Sequence, residues 1–321
     1  MNKLTIASTQ SDANFSSKVA HLLHTNLIPI TMTNYADGNK KRQFSRSIRG
    51  NDIYIIASLH GTSPIGSAVR LENLKYLIHA AKLASASRVT VVITYFEGRD
   101  DRKSSPRMDI TALRWANEIV NAGADRVITM DLHADQIVGF FDPIPVDHLF
   151  ASLNLIPAIK RMHIKNLVLV SPDVGGSKRI EKYADYLNAV DIAFITKRRP
   201  RPNAIKEMRI SGNVSGKNCL LLDDLIDTAG TFFNATTKLR EMEANEIHAC
   251  GIHSLMSGDA VRMIQKSKLT SLTVTDTIPL QPDADFHTKL NIISVTDIFA
   301  AAISAAHRGT SISHLFIENK N

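Results

Sequence analysis

The stretch CLLLDDLIDTAGT, residues 219–231, joins an apolar run to two adjacent carboxylates and a loop of small residues. The run 219–222 has the length and composition of a buried strand, and apolar residues at helical spacing follow the loop. In open parallel sheets, ligands bind beyond the carboxyl ends of the strands. We therefore expect a ligand site at Asp223, Asp224 and the loop behind them.

Apolar runs of strand length alternate with amphipathic segments of helical length along the whole chain. Strands rich in Val, Ile and Leu, separated by helices, are typical of parallel sheets covered on both faces. The pattern therefore predicts an α/β fold with mainly parallel sheets flanked by helices. The predicted strands are 51–58, 87–96, 125–132, 165–172, 190–196 and 219–224. The predicted helices are 71–85, 110–123, 177–188 and 231–244.

The length of 321 residues exceeds what one compact core usually supports, so we expect two domains. The stretch 143–158 has the weakest strand or helix pattern, and we place the boundary there. The predicted domains are 1–148 and 149–305, with 306–321 as a tail that packs back on the first domain. Each half has a strand that leads into a charged loop and a helix, which hints at a duplicated unit.

The chain carries a net charge of +7, which favours anionic partners. The positive charge is concentrated in GRDDRKSSPR (98–107) and KRRPRP (197–202), which we expect to be loops. Short basic loops suit the phosphates of a small ligand, and no zinc-finger, basic-heptad or RNA-binding signature is present, so no nucleic-acid partner is expected. Apolar runs of strand length, two cysteines in apolar contexts and no signal-peptide pattern predict a cytoplasmic protein without a membrane partner.

The DTAGT loop has the residue types of a phosphate cradle. Small residues let backbone N–H groups turn toward one anion, and a helix amino terminus favours negative charge. Carboxylates would repel that phosphate, so the acid pair should face sugar hydroxyls, and a sugar phosphate explains both halves of the motif. The alternative is that Asp227 is a helix cap and Gly230 an ordinary first helical residue.

The stretch LLLDDLIDTAGT resembles the 5-phosphoribosyl binding signature shared by phosphoribosyltransferases and ribose-phosphate diphosphokinases. Five other segments resemble the second family, the PRPP synthetases, and the resemblance spans nearly the whole chain. They are TMDLHADQIVGFFD (129–142), PVDHL (145–149), SPDVGG (171–176), KRRPRPN (197–203) and VTDTIPL (274–280). The resemblance implies two phosphoribosyltransferase-like domains.

In this family the β,γ-pyrophosphoryl group of Mg²⁺–ATP moves to the C1 hydroxyl of ribose 5-phosphate, leaving AMP. By resemblance, Lys197 and Arg199 are catalytic and reach the phosphates from a closing loop, while His133 and Asp173 contact Mg²⁺. The implied ATP-binding residues are Tyr35, Asp37, Gly38, Asn39, Arg99, Asp100, Asp101 and His133. The implied ribose 5-phosphate-binding residues are Asp223, Asp224, Asp227, Thr228, Ala229, Gly230 and Thr231.

The sequence departs from the family pattern on the ATP side. In YADGN (35–39), Asn39 stands where the family has an acid, and Asp100 stands where it has an amide, after a loop one residue shorter. SPIGSAVRLEN (63–73) replaces a polar Asn-Asp-Asn run. These changes keep ADP-ribose open as an alternative acceptor, because it carries the same ribose 5-phosphate end. A catalytically silent regulatory subunit is a third interpretation, and a phosphoribosyltransferase ranks below these.

The resemblance also implies self-association as a homo-oligomer, a hexamer, in which YADGN reaches the ATP of a neighbouring subunit. SIRG (47–50) and TSISHLF (310–316) resemble the segments through which phosphate and ADP regulate the family. An ordinary turn and a packed tail explain these two segments equally well, so regulation stays open.

Overall fold

A computed structural model describes residues 2–9, 12–37, 40–61, 65–173, 175–198, 207–280 and 288–313. The chain divides into two compact units. The described residues of the first unit fall within Met1–Phe150, Thr277–Pro279 and Val295–Asn321, and those of the second within Ala151–Asp276 and Leu280–Ser294. Strands and helices are numbered along the chain.

The first unit is built on a six-stranded parallel sheet with a separate antiparallel hairpin. Its strands are β1 (Leu4–Ser8), β2 (Leu27–Ile28), β3 (Ile30–Asn34), β4 (Lys40–Phe44), β5 (Asp52–Ser58), β6 (Arg88–Tyr95), β7 (Arg126–Met130) and β8 (Val146–Leu149). The sheet order is β2-β1-β5-β6-β7-β8, and β3 pairs with β4. The first three helices are α1 (Ala13–Leu22), α2 (Ser67–Leu83) and α3 (Thr111–Asn121).

The second unit is built on a seven-stranded sheet in the order β11-β10-β9-β12-β13-β14-β15. Its strands are β9 (Leu167–Ser171), β10 (Asp191–Arg198), β11 (Glu207–Ser211), β12 (Asn218–Ile226), β13 (Ile247–Ser254), β14 (Ser271–Thr275) and β15 (Leu290–Ile293). All neighbours are parallel except β10 and β11. Its helices are α4 (Ser152–Lys160), α5 (Ser177–Leu187), α6 (Gly230–Glu241) and α7 (Ala260–Lys266).

The last helix, α8 (Thr296–Arg308), packs on the first unit. Its apolar face contacts α1, where the rings of Phe299 and Phe15 meet edge to face at 5.5 Å. The segment that returns to the first unit therefore begins at Val295, whereas the sequence prediction began it at residue 306. Burial of Phe299, Ile303 and their neighbours explains the difference, because the apolar stripe starts near the beginning of this helix.

The predicted α/β class with mainly parallel sheets flanked by helices is confirmed. Central strand β5 is buried along its whole length, as expected for a β-branched run covered on both faces. Helix α2 buries Leu71, Leu74, Leu77 and Ile78 at helical spacing against the same core. Each of the six predicted strands and four predicted helices corresponds to an element of the structure.

The stretch 143–158, where the sequence pattern is weakest, contains β8 and the start of α4. The expectation of a loop for the basic segment 197–202 was wrong for its first two residues, because β10 continues through Arg198 and Lys197 pairs with Met208 of β11. Backbone pairing to a neighbouring strand overrides the loop-like composition at that point. Residues 199–202 lie outside the described residues. Among the described residues, none of the helices has the length and apolar character required to cross a membrane.

The strand orders of the two sheets support the hint of a duplicated unit. The order β2-β1-β5-β6-β7-β8 in the first sheet corresponds to β10-β9-β12-β13-β14-β15 in the second. In this correspondence β1 matches β9 and β5 matches β12. Helices α1 and α2 then match α5 and α6, since each follows the matched strand.

Candidate active site

Strand β12 contains a buried apolar run followed, near its carboxyl end, by two acids. Cys219 to Leu222 are buried, Asp223 is partly exposed, and Asp224 is buried. The backbone N–H of Asp224 donates to Oδ1 of Asp223 over 2.9 Å. Because β12 lies between β9 and β13, the acids sit at the middle of the carboxyl edge of the sheet. This is where parallel sheets bind ligands.

Arg179 of α5 lies against both acids. Its Nη1 atom is 3.3 Å from Oδ1 of Asp224 and 3.7 Å from Oδ1 of Asp223. Arg179 was not among the site residues predicted from the sequence. One signal was available, since a cation in the first turn of a helix is disfavoured by the helix dipole and needs a nearby carboxylate.

The surroundings of Asp223 are unusually acidic. Burial, followed by the contact with Asp224 and the charge of Asp173, raises the pKa of the Asp223 carboxyl well above its ordinary value, and Arg179 opposes this shift. The ionised form of such a carboxylate is stabilised when a bound ligand brings a hydrogen-bond donor or a cation to it. Sugar hydroxyls and a metal ion both meet that need.

The DTAGT loop leads from β12 directly into α6. The helix begins at Gly230, and Ala229 is its N-cap residue, with a left-handed backbone at φ +59°. The N–H of Ser257 donates to the carbonyl of Asp227 over 3.0 Å, which anchors the loop to the segment after β13. Asp227 therefore precedes the cap by two residues, so the alternative in which it is the N-cap is wrong.

This loop has the geometry of an anion cradle. The first N–H groups of a helix have no partner within the helix and carry partial positive charge. Thr228 is exposed, and Asp227, Gly230 and Thr231 are partly exposed, so the loop is open to a ligand. A non-glycine residue in the left-handed region is a feature that concentrates at ligand sites.

Asp173 follows β9, the strand beside β12. Its Oδ1 atom accepts the N–H of Gly176 over 3.1 Å, and Ser171 Oγ donates to its carbonyl over 2.6 Å. A Cβ atom at Gly176 would lie 2.6 Å from Ser171 Oγ, so a larger residue there would displace the serine hydroxyl that bonds to this turn. The turn interpretation of SPDVGG is thus correct as geometry, and the turn holds an exposed carboxylate at the same sheet edge as Asp223.

The donor set of this edge fits Mg²⁺ in a phosphoryl-transfer site. The described residues contain no group of three or more His, Cys, Asp or Glu side chains arranged around a metal position. Mg²⁺ in such sites is bound through one or two carboxylates together with substrate phosphates and water. Asp173 offers hard oxygen donors of that kind. His133 lies in the first unit, and its exposed imidazole is less suited to this ion.

In the first unit, the predicted ATP-side residues lie in loops after neighbouring strands. Arg99, Asp100 and Asp101 follow β6, and His133 follows β7, so both loops lie at one sheet edge. The side-chain amide of Gln136 donates to the carboxylate of Asp101 and links the two loops. The structure thereby brings together the predicted residues of GRDDRK and MDLHA.

Close packing fixes the start of the first of these loops. A Cβ atom at Gly98 would lie 2.6 Å from the Phe96 ring and 2.9 Å from the Cα of Ala112. Nη2 of Arg99 lies 3.2 Å from Oε1 of Glu97, and the carbonyl of Asp100 accepts the N–H of Ala112. The backbone of Asp100 is therefore held against α3 while its side chain is exposed.

Tyr35 and Asp37 lie in the turn of the β3–β4 hairpin, and both are exposed. Gly38 and Asn39 lie outside the described residues. The hairpin packs on α2, where the guanidinium of Arg42 stands 4.3 Å above the centre of the Tyr76 ring. Of the two residues predicted to be catalytic, Lys197 has its backbone in β10, and Arg199 lies outside the described residues.

Comparison with known proteins identifies the family. Residues 4–123 match the model of the N-terminal domain of ribose phosphate pyrophosphokinase, and residues 193–317 match that of the phosphoribosyl synthetase-associated domain. A ribose-phosphate pyrophosphokinase of Chlorobaculum tepidum is 42% identical over 98% of this chain and 95% of its own. That of Oceanobacillus iheyensis is 40% identical over 98% of both chains.

A solved structure shows the same fold at full length. The phosphoribosylpyrophosphate synthetase of Mycobacterium smegmatis superposes with a TM-score of 0.89 at 32% identity, covering 96% of this chain and 100% of its own. These relatives and the shared fold define an enzyme that transfers pyrophosphoryl groups. The chain belongs to the ribose-phosphate pyrophosphokinase family, which confirms the resemblance seen in the sequence and the pair of phosphoribosyltransferase-like domains that it implies.

Proposed function

We propose that this chain transfers the β,γ-pyrophosphoryl group of Mg²⁺–ATP to the C1 hydroxyl of ribose 5-phosphate, giving phosphoribosyl diphosphate and AMP. The observation that carries the proposal is the arrangement at the end of β12. An acid pair and the amino terminus of α6 lie side by side there, joined by the DTAGT loop. The carboxylates can accept hydrogen bonds from sugar hydroxyls, and the N–H groups at the start of the helix can donate to a phosphate. The arrangement therefore complements a sugar phosphate.

The two halves of the acceptor site have separate tasks. The N–H groups of Thr228 to Thr231 and the threonine hydroxyls hold the 5-phosphate, because the helix terminus favours a dianion. Asp223 and Asp224 accept hydrogen bonds from the ribose hydroxyls. Arg179 offsets part of their negative charge and holds the Asp224 carboxylate in place through its contact at 3.3 Å. The acceptor is thereby oriented before the donor reacts.

The transfer itself depends on alignment and charge neutralisation. Lys197 and Arg199 supply positive charge to the migrating group, and Arg99 supplies it at the ATP side. Asp173 would hold Mg²⁺, which would supply charge neutralisation to the phosphates of ATP when bound, and His133 is an ATP-binding residue of the first unit. Tyr35, in the turn of the β3–β4 hairpin, offers a ring face to the adenine. The active form is a homo-oligomer, a hexamer, in which this hairpin turn contacts the ATP of a neighbouring subunit.

ADP-ribose is a second acceptor to test, because Asp100 is exposed at the sheet edge that carries the ATP-side loops. A carboxylate there repels ATP phosphates and changes the nucleotide side of the site. The acid pair and DTAGT loop would hold the ribose 5-phosphate end of either acceptor. A mass determination of the product separates the two acceptors.

Two substitutions test the site assignment. Lys197→Ala should lower kcat for AMP release at least about 100-fold, because it removes a cation that stabilises transferred charge. Asp227→Asn should lower kcat by a similar factor, because it removes the carboxylate of the loop that positions the acceptor. The matched controls are Asp185→Asn and Lys178→Ala, both on exposed positions of α5, which should keep the rate within about twofold. Circular dichroism checks that all four variants fold. Wild-type turnover in Asp227→Asn or Lys197→Ala would overturn the assignment.

A further inference from the structure

A second cavity lies in the first unit, away from the loops that carry Arg99 and His133. Its volume is about 290 Å³. It lies at the carboxyl ends of β1 and β2, between α2 and the β3–β4 hairpin. The residues that define it are Ser8, Thr9, Ile28, Ile30, Arg42 and Arg70.

The position of this cavity corresponds to that of the acceptor site in the second unit. Strands β1 and β5 match β9 and β12 in sheet order. In the second unit, the segments after β9 and β12 carry Asp173 and the DTAGT loop. In the first unit, Thr9 after β1 and Ile65 after β5 border the cavity. The cavity therefore occupies the edge of the sheet where open α/β folds bind ligands.

Two guanidinium groups line the cavity. Arg70, in the first turn of α2, is only 8% exposed, although both burial and the helix dipole disfavour a cation there. Burial lowers the pKa of Arg70, and the charge of Asp12 opposes this shift. Arg42 donates to the side-chain oxygen of Asn73 and stands over Tyr76. Asp12 is a charged neighbour of Arg70, and Glu72 is one of Arg42, but neither carboxylate lines the cavity. Within the part of the chain that the structure describes, the lining therefore carries two guanidinium groups and no carboxylate.

The remaining walls are mostly apolar. Leu27, Ile28, Ile30, Met32 and Leu77 contribute them. Ligand pockets combine such walls with a few polar groups that fix orientation, and a volume near 300 Å³ is at the small end of their range. We propose that this cavity binds a small organic anion, in which a carboxylate or phosphate monoester contacts Arg42 and Arg70 and an aromatic body contacts the apolar walls.

Titration calorimetry on the full-length chain tests the proposal. The probes are phenylacetate and phenyl phosphate, and saturating ribose 5-phosphate is present so that the DTAGT loop is occupied. We expect binding of one probe molecule per chain, and the tighter probe tells whether a carboxylate or a phosphate is preferred. The neutral analogue 2-phenylethanol should bind at least tenfold more weakly, because it lacks the charge that the guanidinium groups recognise.

Three variants make the test specific. Arg70→Met should weaken the tighter probe at least tenfold, whereas Arg114→Met, on an exposed position of α3, should leave its affinity unchanged. Because Arg70→Met removes a buried charge and can impair folding, Ile28→Trp provides a second test. It fills the cavity from a partly exposed strand and keeps both arginines, so it should also abolish binding.

Absence of saturable binding, or equal affinity in the wild type, Arg70→Met and Ile28→Trp, would overturn the proposal. Sedimentation velocity of the wild type and Ile28→Trp detects the competing occupant, a second copy of the chain. A change of oligomeric state in Ile28→Trp, together with no probe binding to the wild type, would assign the cavity to a subunit contact and contradict a ligand site.

Discussion

The Nη1 atom of Arg179 lies 3.3 Å from Oδ1 of Asp224, although the two residues are 45 positions apart. The contact joins α5 to the carboxyl-terminal part of β12 and places a guanidinium beside the acid pair. Because the Asp224 side chain is only 11% exposed, this contact restricts where its carboxylate can lie. Arg179 is therefore a positioning residue for the acceptor site.

Arg179→Ala should raise the KM for ribose 5-phosphate about tenfold and lower the stability of the chain by about 1–3 kcal/mol, because it removes a guanidinium from beside two adjacent carboxylates. Arg179→Lys should restore part of the stability and part of the affinity, since it keeps the charge but loses the planar fork. Steady-state kinetics and urea unfolding measure both effects. An unchanged KM in Arg179→Ala would show that the contact has no role in acceptor binding.

Asp223→Asn should stabilise the ligand-free chain while it weakens acceptor binding. The folded state raises the pKa of Asp223, so it holds the proton more tightly than the unfolded state. Wild-type stability should therefore fall as pH rises from about 4, the unfolded value, through the raised folded value. The variant lacks this group and should not show that loss.

Urea unfolding between pH 4 and pH 8 measures this difference. The difference in free energy of unfolding between Asp223→Asn and the wild type should increase with pH and then become constant. The Asp185→Asn control should have the same pH dependence as the wild type. Parallel curves for the wild type and Asp223→Asn would contradict the raised pKa.

Asp52 ties helix α8 to the first sheet. Its carboxylate accepts hydrogen bonds from Arg88 and, at 2.7 Å, from Nδ1 of His307 in its donating form. Burial alone would raise the pKa of Asp52, but the hydrogen bonds from Arg88 and His307 outweigh burial and hold it below its ordinary value. The ionised Asp52 carboxylate therefore contributes to the free energy of unfolding above about pH 4, and this contribution is lost as pH falls through the folded pKa.

Asp52→Asn should cost about 2 kcal/mol at pH 7, because Arg88 loses its counter-charge. Between pH 5 and pH 3 the wild type should lose more stability than the variant, since only the wild type must protonate this carboxylate. Thermal unfolding across that range is the measurement. A steeper acid loss in the variant would mean that Asp52 does not anchor α8 in this way.

Gly251 in β13 makes room for the residue that precedes the DTAGT loop. A Cβ atom at this position would lie 2.4 Å from Cγ1 and Cδ1 of Ile226 but 3.7 Å from its Cβ. Gly251→Ala should therefore destabilise the chain by about 1–3 kcal/mol through overpacking. Gly139→Ala, where an added Cβ meets nothing within 4 Å, is the control.

The double variant Gly251→Ala/Ile226→Ala should be more stable than the sum of the two single changes implies. Ile226→Ala alone leaves a cavity that costs about 2–5 kcal/mol, and the added methyl group fills part of it. Denaturant unfolding of the four proteins gives the coupling energy. Strict additivity would show that the two side chains do not share this space.

Much of the fold was predictable because each central strand has a local signature. The β5 run DIYIIAS is buried on both faces, and its β-branched residues indicate that directly. The basic end of β10 was not predictable, because Lys197 and Arg198 are in a strand only through backbone pairing with β11. The return of α8 to the first unit depends on the contact of Phe299 with Phe15, 284 positions earlier in the chain.

The candidate site divides in the same manner. Asp223, Asp224 and the DTAGT loop are contiguous in sequence, and the predicted strand–loop–helix unit placed them together at the sheet edge. Arg179 was missed because its role depends on the adjacency of β9 and β12, which no local pattern encodes. The correspondence of the two sheets, and with it the second cavity, likewise emerges only from strand order.

The most direct test of the central claim is AMP release from Mg²⁺–ATP by the wild-type chain, with ribose 5-phosphate or ADP-ribose as acceptor and the product mass measured alongside. We expect strong turnover with ribose 5-phosphate and a product with the mass of phosphoribosyl diphosphate. Turnover with ADP-ribose but not with ribose 5-phosphate would contradict the proposed function. So would a failure to release AMP with either acceptor.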